Sequence, residues 1–151
     1  MTTEDKSRNK PASLDLDRQI CHSLYSASNA LVRAYRPLLE KLDLTYPQYV
    51  VMMSLWQREE VSISDLAQHT RFGAGTLSPI LRRLQKKGLL ESEVAESDER
   101  RRVITVTTKG HSLKQAAEKI PSQIACTVDM PMEDALELKA LCEKLVSRLA
   151  G

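Results

Sequence analysis

The sequence has few aromatic residues, few glycines and no long apolar run. Its 151 residues include one Trp, one Phe, four Tyr and five Gly. No run approaches the roughly 18 consecutive apolar residues that indicate a membrane-spanning helix, so we expect no membrane segment. The polar N-terminus from Met1 to Pro11 has no apolar signal-peptide core, which predicts a cytoplasmic protein.

Cysteine is scarce and has no metal-binding or disulfide pattern. Cys21, Cys126 and Cys142 are an odd set without CxxC or paired histidine spacing, which argues against a structural zinc site or a disulfide framework. No glycine-rich phosphate loop, metal-ligand cluster or Ser-His-Asp arrangement is visible, so we expect no cofactor. In a reducing compartment each cysteine is either a small packed residue or a reactive thiol, and composition leaves that choice open.

An excess of one charge is also absent. The chain has 22 Lys and Arg against 20 Asp and Glu, a net charge of +2, which does not by itself mark a nucleic-acid binder. Any argument for DNA binding must therefore rest on where the charges lie. The length and the 42% hydrophobic content suit one domain with a core.

Apolar spacing predicts six helices and two strands. The helices cover approximately residues 14–39, 49–57, 62–69, 76–87, 109–127 and 133–149. The strands cover residues 89–95 and 102–107, and the charged segment 96–101 joins them.

This element order predicts a mainly α fold with a small β-hairpin, a winged helix-turn-helix with N- and C-terminal dimerisation helices. We expect four parts in chain order: a flexible tail at residues 1–13, a dimerisation and sensor helix at 14–46, a DNA-binding domain at 47–110, and C-terminal dimerisation helices at 111–151.

The predicted helix after Gly75 has one apolar face and one polar face. Leu77, Ile80, Leu81 and Leu84 share the apolar face. The first turn and the opposite arc carry small, polar and basic residues suited to the major groove, namely Gly75, Thr76, Ser78, Pro79, Arg82, Arg83 and Lys86. A basic helix face alone is usually only solvated, but here it coincides with flanking helices and with a hairpin. That hairpin carries Arg100 and Arg101 for the minor groove.

The segment from Asp98 to Gly110, DERRRVITVTTKG, resembles the wing signature of the MarR family of repressors. The resemblance implies that Asp98 orients Arg100, which reaches into the minor groove. It also implies a homodimer that binds a pseudo-palindromic operator in double-stranded DNA, since two-fold protein symmetry requires a two-fold site. Val106 stands where the family usually has Leu.

The segments QICHSLY, beginning at Gln19, and LTYPQY, beginning at Leu44, look like the organic-hydroperoxide-sensing (OhrR-like) branch of that family. The resemblance implies that Cys21 is a redox-sensing thiol hydrogen-bonded by Tyr35 and Tyr46, with organic hydroperoxides as inducers. Cys126 matches the resolving cysteine of two-cysteine members, which implies an inter-subunit disulfide with Cys21.

Helix geometry constrains this sensor. Cys21 and Tyr35 share a helix face but lie about 21 Å apart along a straight helix that rises about 1.5 Å per residue. A contact between them therefore requires Tyr35 of the other subunit. His22 replaces the usual Phe of the branch and leaves the preference between organic and hydrogen peroxide open.

Three functions remain in view at this point. The first is the thiol-switched repressor, and the second is a MarR-type repressor gated by a small aromatic ligand, with cysteines that are only structural. The third is an enzyme, a thiol peroxidase using Cys21 and Cys126. A peroxidase has no need of a basic recognition helix and a wing, so we expect a protein that is not an enzyme.

Overall fold

The computed structural model describes residues 14–151, and the expected tail at 1–13 lies outside the described residues. A 3-10 turn at Leu16–Arg18 precedes the first helix. The elements that follow are α1 (Ile20–Glu40), α2 (Tyr46–Trp56), β1 (Glu60–Ser62), α3 (Ile63–Thr70), α4 (Ala74–Lys86), β2 (Leu90–Ala95), β3 (Asp98–Val106), α5 (Thr108–Ala117), α6 (Ile120–Val128) and α7 (Met132–Leu149). Helices dominate and the strands form one small sheet, which confirms the predicted fold class.

Helix α2 lies at the centre of the core. Val51, Met52 and Leu55 are at most 1% exposed, and the helix packs against α1, α3, α4 and β3. A helix that is apolar on all sides needs neighbours on all sides. The helix begins at Tyr46, three residues before the predicted range, because Thr45 and Gln48 form a capping box there.

Helices α3 and α4 form the predicted helix-turn-helix. The Ser62 hydroxyl accepts a hydrogen bond from the Asp65 N–H at 3.1 Å, which caps the start of α3. Arg71 ends α3 in the left-handed conformation with φ 61°, and Gly73 caps α4. The apolar face of α4 is buried, consisting of Leu77, Ile80, Leu81 and Leu84.

The three strands form an antiparallel sheet in the order β1-β3-β2. The predicted hairpin is confirmed, but its second strand begins at Asp98 instead of Arg102, so the predicted charged connection is mostly strand. The turn is only Glu96–Ser97. Residues 98–101 are all exposed and show no apolar alternation, which is the signal that sequence analysis reads. Strand β1 was missed because three residues are too few to show a period.

The single helix predicted over 109–127 is wrong, because the chain forms α5 and α6 with a break at residues 118–119. Pro121 explains the break. Its ring nitrogen cannot donate to the carbonyl of Ala117, and the ring crowds that carbonyl in a continuous helix. Proline is well tolerated in a first turn, and Pro121 occupies that place in α6.

Large apolar side chains are exposed on α1, at the end of α6, in the turn that follows it and along α7, in which no residue is buried. They are Ile20, Leu24, Tyr25, Leu31, Val128, Met130, Met132, Leu136, Leu138, Leu141, Leu145, Val146 and Leu149. We call this set the apolar face. Within the described chain, none of the helices is both long enough and apolar enough to span a membrane.

Helix α7 is tied to the helix-turn-helix by an ion pair. The Arg71 guanidinium donates to both carboxylate oxygens of Glu143, at 2.6 and 3.4 Å. This hydrogen bonding lowers the pKa of Glu143 and raises that of Arg71. Both side chains are exposed, so the pair fixes geometry more than it adds stability.

Gly110 is the point where three parts of the fold meet. Its N–H donates to the Thr107 hydroxyl at 3.1 Å, and its carbonyl accepts from the Trp56 indole at 3.0 Å. A Cβ at this position would lie 2.2 Å from the Leu89 carbonyl oxygen and 2.5 Å from Val106 Cγ1. The close approach of the hairpin to α5 therefore requires glycine here.

We expect Gly110→Ala to lower the free energy of unfolding by about 3 kcal/mol, because the added methyl group meets backbone that has no room to move. Urea denaturation at one protein concentration measures the effect. Gly75→Ala is the matched control: it lies in a helix with open space around it, and we expect no loss, or a gain of up to about 1 kcal/mol. Equal stability of Gly110→Ala and the parent protein would contradict the packing argument.

Candidate DNA interface and thiol site

Most of the polar arc of α4 is exposed. Thr76, Ser78, Arg82, Arg83 and Lys86 are exposed, as is Gly75, while Pro79 is half-buried. The small residues occupy the first turns and the basic residues the later turns. A recognition helix uses its first turns at base edges and its later turns at phosphates, so this arc has the composition of a major-groove surface.

The tip of the β2–β3 hairpin, residues 94–102, is the wing. The Asp98 carboxylate accepts a hydrogen bond from the Arg100 backbone N–H at 2.9 Å. The strand register shifts between Val94, which pairs with Arg102, and Ala95, which pairs with Asp98. Residues 99–101 therefore bulge out of the ladder, and Asp98 fixes that bulge through the backbone of Arg100. The two residues predicted to act together are thus in contact.

The wing arginines differ in their surroundings. Arg101 lies 3.8 Å from the Asp65 carboxylate of α3, and Arg102 donates to the Ser92 hydroxyl at 3.4 Å across the hairpin. Arg100 is exposed, and no ion pair to it is found within residues 14–151. Its guanidinium is therefore available for an external anion.

Cys21 is the second residue of α1 and is exposed. The residue that caps α1, Gln19, makes no side-chain capping bond, and the first turn holds no acidic residue. The positive end of the helix dipole at this turn favours an anion. Because α1 is unbroken from Ile20 to Glu40, the predicted separation of about 21 Å from Tyr35 stands for a single protomer.

Tyr35 and Tyr46 are in contact, and Tyr49 joins them. The ring centroids lie 5.0 Å apart for Tyr35 and Tyr46, 5.8 Å for Tyr35 and Tyr49, and 6.4 Å for Tyr46 and Tyr49. We call this set the tyrosine cluster. Tyr49 was not among the predicted site residues, although its place three residues after Tyr46 on a helix would have revealed the contact.

Burial favours the neutral phenols of Tyr35 and Tyr49. Burial raises the pKa of Tyr35 to about 12, and the neighbouring phenols of Tyr46 and Tyr49 add to the shift. Burial, followed by Tyr46, also raises the pKa of Tyr49. A protonated phenol is a hydrogen-bond donor, so Tyr35 can stabilise an anion across the physiological pH range.

The other two cysteines lie in the C-terminal helices. Cys126 is exposed on α6, Cys142 is half-buried on α7, and all three thiols are free. A single protomer therefore does not join the predicted pair, Cys21 and Cys126. Within residues 14–151 no group of three or more His, Cys, Asp or Glu side chains is placed to hold a metal ion.

Comparison with known proteins places this architecture in a family. The family model described as transcriptional regulator SarA/Rot matches residues 33–117, more than half of the chain. The organic hydroperoxide resistance transcriptional regulator of Bacillus subtilis is 35% identical over 141 residues, which cover 93% of this chain and 96% of the relative.

Solved structures of AbfR, a Staphylococcus epidermidis protein, share the fold. Reduced AbfR bound to DNA has a TM-score of 0.73 at 28% identity, with 89% of this chain and 92% of AbfR covered. Overoxidized AbfR bound to DNA has the same score and identity, with 89% and 94% covered. Disulfide-formed AbfR has a TM-score of 0.64 at 27% identity, with 87% and 92% covered.

These matches span both the helix-turn-helix and the wing, and the family they indicate consists of DNA-binding regulators, not enzymes. The thiol peroxidase considered above is therefore not supported. The chain belongs to the SarA/Rot and MarR-type family of winged-helix transcriptional regulators.

Proposed function

We propose that this protein is a homodimeric, cytoplasmic repressor that leaves its operator when an organic hydroperoxide oxidises Cys21. The observation that carries the proposal is the position of Cys21: it is exposed at the start of α1, far along an unbroken helix from the tyrosine cluster that would stabilise its thiolate. Its similarity to a regulator of organic hydroperoxide resistance supports the choice of oxidant.

In the proposed homodimer, a second copy of the chain buries the apolar face. Exposed apolar surface of this extent marks an interaction site, and closed two-fold pairing is the commonest form of self-association. If α1 of one protomer runs antiparallel to α1 of its partner, Cys21 of each comes to the tyrosine cluster of the other. We therefore assign residues 14–46 and 111–151 to dimerisation and residues 47–110 to DNA binding.

Each protomer of the dimer would bind one half of a pseudo-palindromic operator. The exposed arc of α4 enters the major groove, with Gly75, Thr76, Ser78 and Pro79 at base edges. Arg82, Arg83 and Lys86 reach phosphates. Arg100, held by Asp98, enters the minor groove, and Arg101 borders the backbone beside it.

The proposed redox step balances as follows. The Cys21 thiolate attacks one peroxide oxygen, the O–O bond breaks, and the alkoxide takes up a proton and leaves as an alcohol, so that sulfur becomes a sulfenic acid. The thiol of Cys126 from the partner subunit then attacks the oxidised sulfur, and the hydroxyl leaves as water with the thiol proton. Two equivalents of a cellular thiol reduce the resulting disulfide again.

The disulfide, not the first oxidation, is the event we expect to release DNA. Reduced and overoxidized AbfR are both found bound to DNA, and a disulfide form of that protein also exists. In this chain the bond would join α1 of one subunit to α6 of the other. Cys21 lies at the start of the 21-residue α1 and Cys126 near the end of the short α6, and we expect closing the bond to move one subunit against its partner.

We expect Cys21→Ser to bind the operator as the parent protein does but to stay bound in cumene hydroperoxide, because the attacking sulfur is gone. A gel shift with and without the peroxide measures this. Cys142→Ser is the matched control and keeps its response. Full peroxide-induced release from the Cys21→Ser protein would rule out the thiol switch and favour a repressor gated by a small ligand.

We expect Cys126→Ser to react once with cumene hydroperoxide but to form no cross-linked dimer, since the resolving thiol is missing. Trapping the sulfenic acid with dimedone, followed by mass spectrometry, detects the first step, and a non-reducing gel detects the second. A cross-linked dimer formed by this variant would show that Cys126 is not the partner of Cys21.

We expect Arg100→Ala to weaken operator binding by about 1–3 kcal/mol, because a minor-groove contact is lost. The affinity must be compared at fixed salt, since phosphate contacts make it depend on salt. Arg58→Ala is the control. Arg58 is exposed just before β1, at the end of the sheet away from the wing tip, and we expect its loss to have little effect. Equal weakening by both substitutions would argue for a general charge effect.

A further inference from the structure

Lys87, which caps the C-terminal end of α4, reaches across to the turn between α1 and α2. Its side chain is 28% exposed, and its ammonium group donates to the Asp43 carbonyl oxygen and, at 3.1 Å, to Gln48 Oε1. The Asp43 carboxylate lies 3.6 Å from the same nitrogen. Lys87 was not among the predicted site residues, and it is too enclosed by these partners to serve mainly as a phosphate contact.

The acceptors of Lys87 belong to the turn and the helix cap that join α1 to α2. Gln48 is 3% exposed, and its Oε1 also accepts the Thr45 backbone N–H at 3.1 Å, so the cap of α2 and the Lys87 link share one oxygen. Asp43 holds the turn in the left-handed conformation with φ 52°. Gln48 lies between Tyr46 and Tyr49 on α2, so this segment also carries two members of the tyrosine cluster.

Lys87 is fixed on its other side by the recognition helix and α5. Its backbone N–H donates to the Arg83 carbonyl at 3.1 Å, and its carbonyl accepts from the Lys109 ammonium at 2.9 Å. In the part of the chain described, every hydrogen bond or ion pair found between α4 with its cap and residues 41–49 passes through Lys87.

We infer that Lys87 is the positioning residue that carries a displacement of the tyrosine cluster to the recognition helix α4. The inference rests on the proposed function, in which a disulfide at Cys21 removes the partner's thiol from the cluster. Any shift of residues 43–49 then pulls on three contacts that end on one ammonium group at the end of α4. Two sites are coupled when both affect the arrangement of the same structural element. Here the two sites are the tyrosine cluster and the recognition helix, and the element is the Lys87 link between them.

Lys87→Met is the variant that tests the link. It keeps the alkyl stem and removes the ammonium group, and Gln48 Oε1 still accepts from Thr45, so no buried oxygen is left without a donor. We expect the reduced variant to bind the operator nearly as the parent does. Typical coupling corresponds to a change in affinity of roughly 5- to 150-fold between two states. We expect the ratio of dissociation constants, disulfide over reduced, to fall by roughly fivefold or more in this variant.

The ratio is measured by fluorescence anisotropy on the full-length protein in both redox states, with the disulfide checked on a non-reducing gel. Lys87→Arg should restore the ratio, because it returns a cation with several donors. Lys41→Met, which removes an exposed lysine two residues before Asp43, should leave the ratio unchanged. A role in stability alone would shift the melting temperature and both dissociation constants together, leaving their ratio as in the parent.

An unchanged ratio in Lys87→Met overturns the inference. If that variant does not fold, Asp43→Asn decides the matter, since asparagine tolerates the left-handed turn and removes only the carboxylate. We expect a smaller fall of the ratio there, and no fall would again overturn the link. A parent protein whose affinity is the same in both redox states refutes the proposed function itself, a result distinct from either variant outcome.

Discussion

The length of α1 is the constraint on which the rest of the proposed sensor depends. A single unbroken helix separates Cys21 from Tyr35 by about 21 Å, so one protomer holds the thiol and the phenols at opposite ends of the same rod. The tyrosine cluster in turn rests on α2, the most buried helix of the fold. In the proposed dimer, the Cys21 sulfur of the partner subunit contacts that cluster. Its oxidation would therefore alter a contact with the core of the DNA-binding domain directly, without an intervening flexible loop.

The recognition helix is held by polar contacts just before its start and just after its end. Arg71 lies two residues before the cap of α4 and binds Glu143 of α7, while Lys87 caps the other end and binds the α1–α2 turn. The two contacts differ in strength. The Arg71 pair is exposed and screened by salt, whereas the Lys87 link reaches a buried amide oxygen. Apolar packing of Leu77, Ile80, Leu81 and Leu84 holds α4 against the core, and the polar contacts link the residues at its two ends to α7 and to the α1–α2 turn.

Sequence patterns predicted the elements whose signal is local and periodic. The apolar face of α4, the Ser62 cap of α3 and the motif from Asp98 to Gly110 all show in consecutive residues. The wing segment before Arg102 was missed, because its exposed residues show no apolar alternation. Lys87 was missed for a different reason: its partners lie about forty positions earlier in the chain, and a lysine near a helix end reads as a solvated charge until the fold places an amide beside it.

The apolar face has a consequence for how this regulator would behave as its abundance changes. In the proposed dimer, association buries that face and stabilises the folded protomer by mass action, so that its stability falls on dilution. In the proposed arrangement, dimerisation brings Cys21 to the tyrosine cluster of the partner subunit. The same event pairs the two α4 helices that bind the operator. At concentrations too low for dimerisation, the protein would then neither respond to oxidant nor bind its promoter. Repressor that is bound to DNA but insensitive to oxidant would therefore not accumulate in the cell.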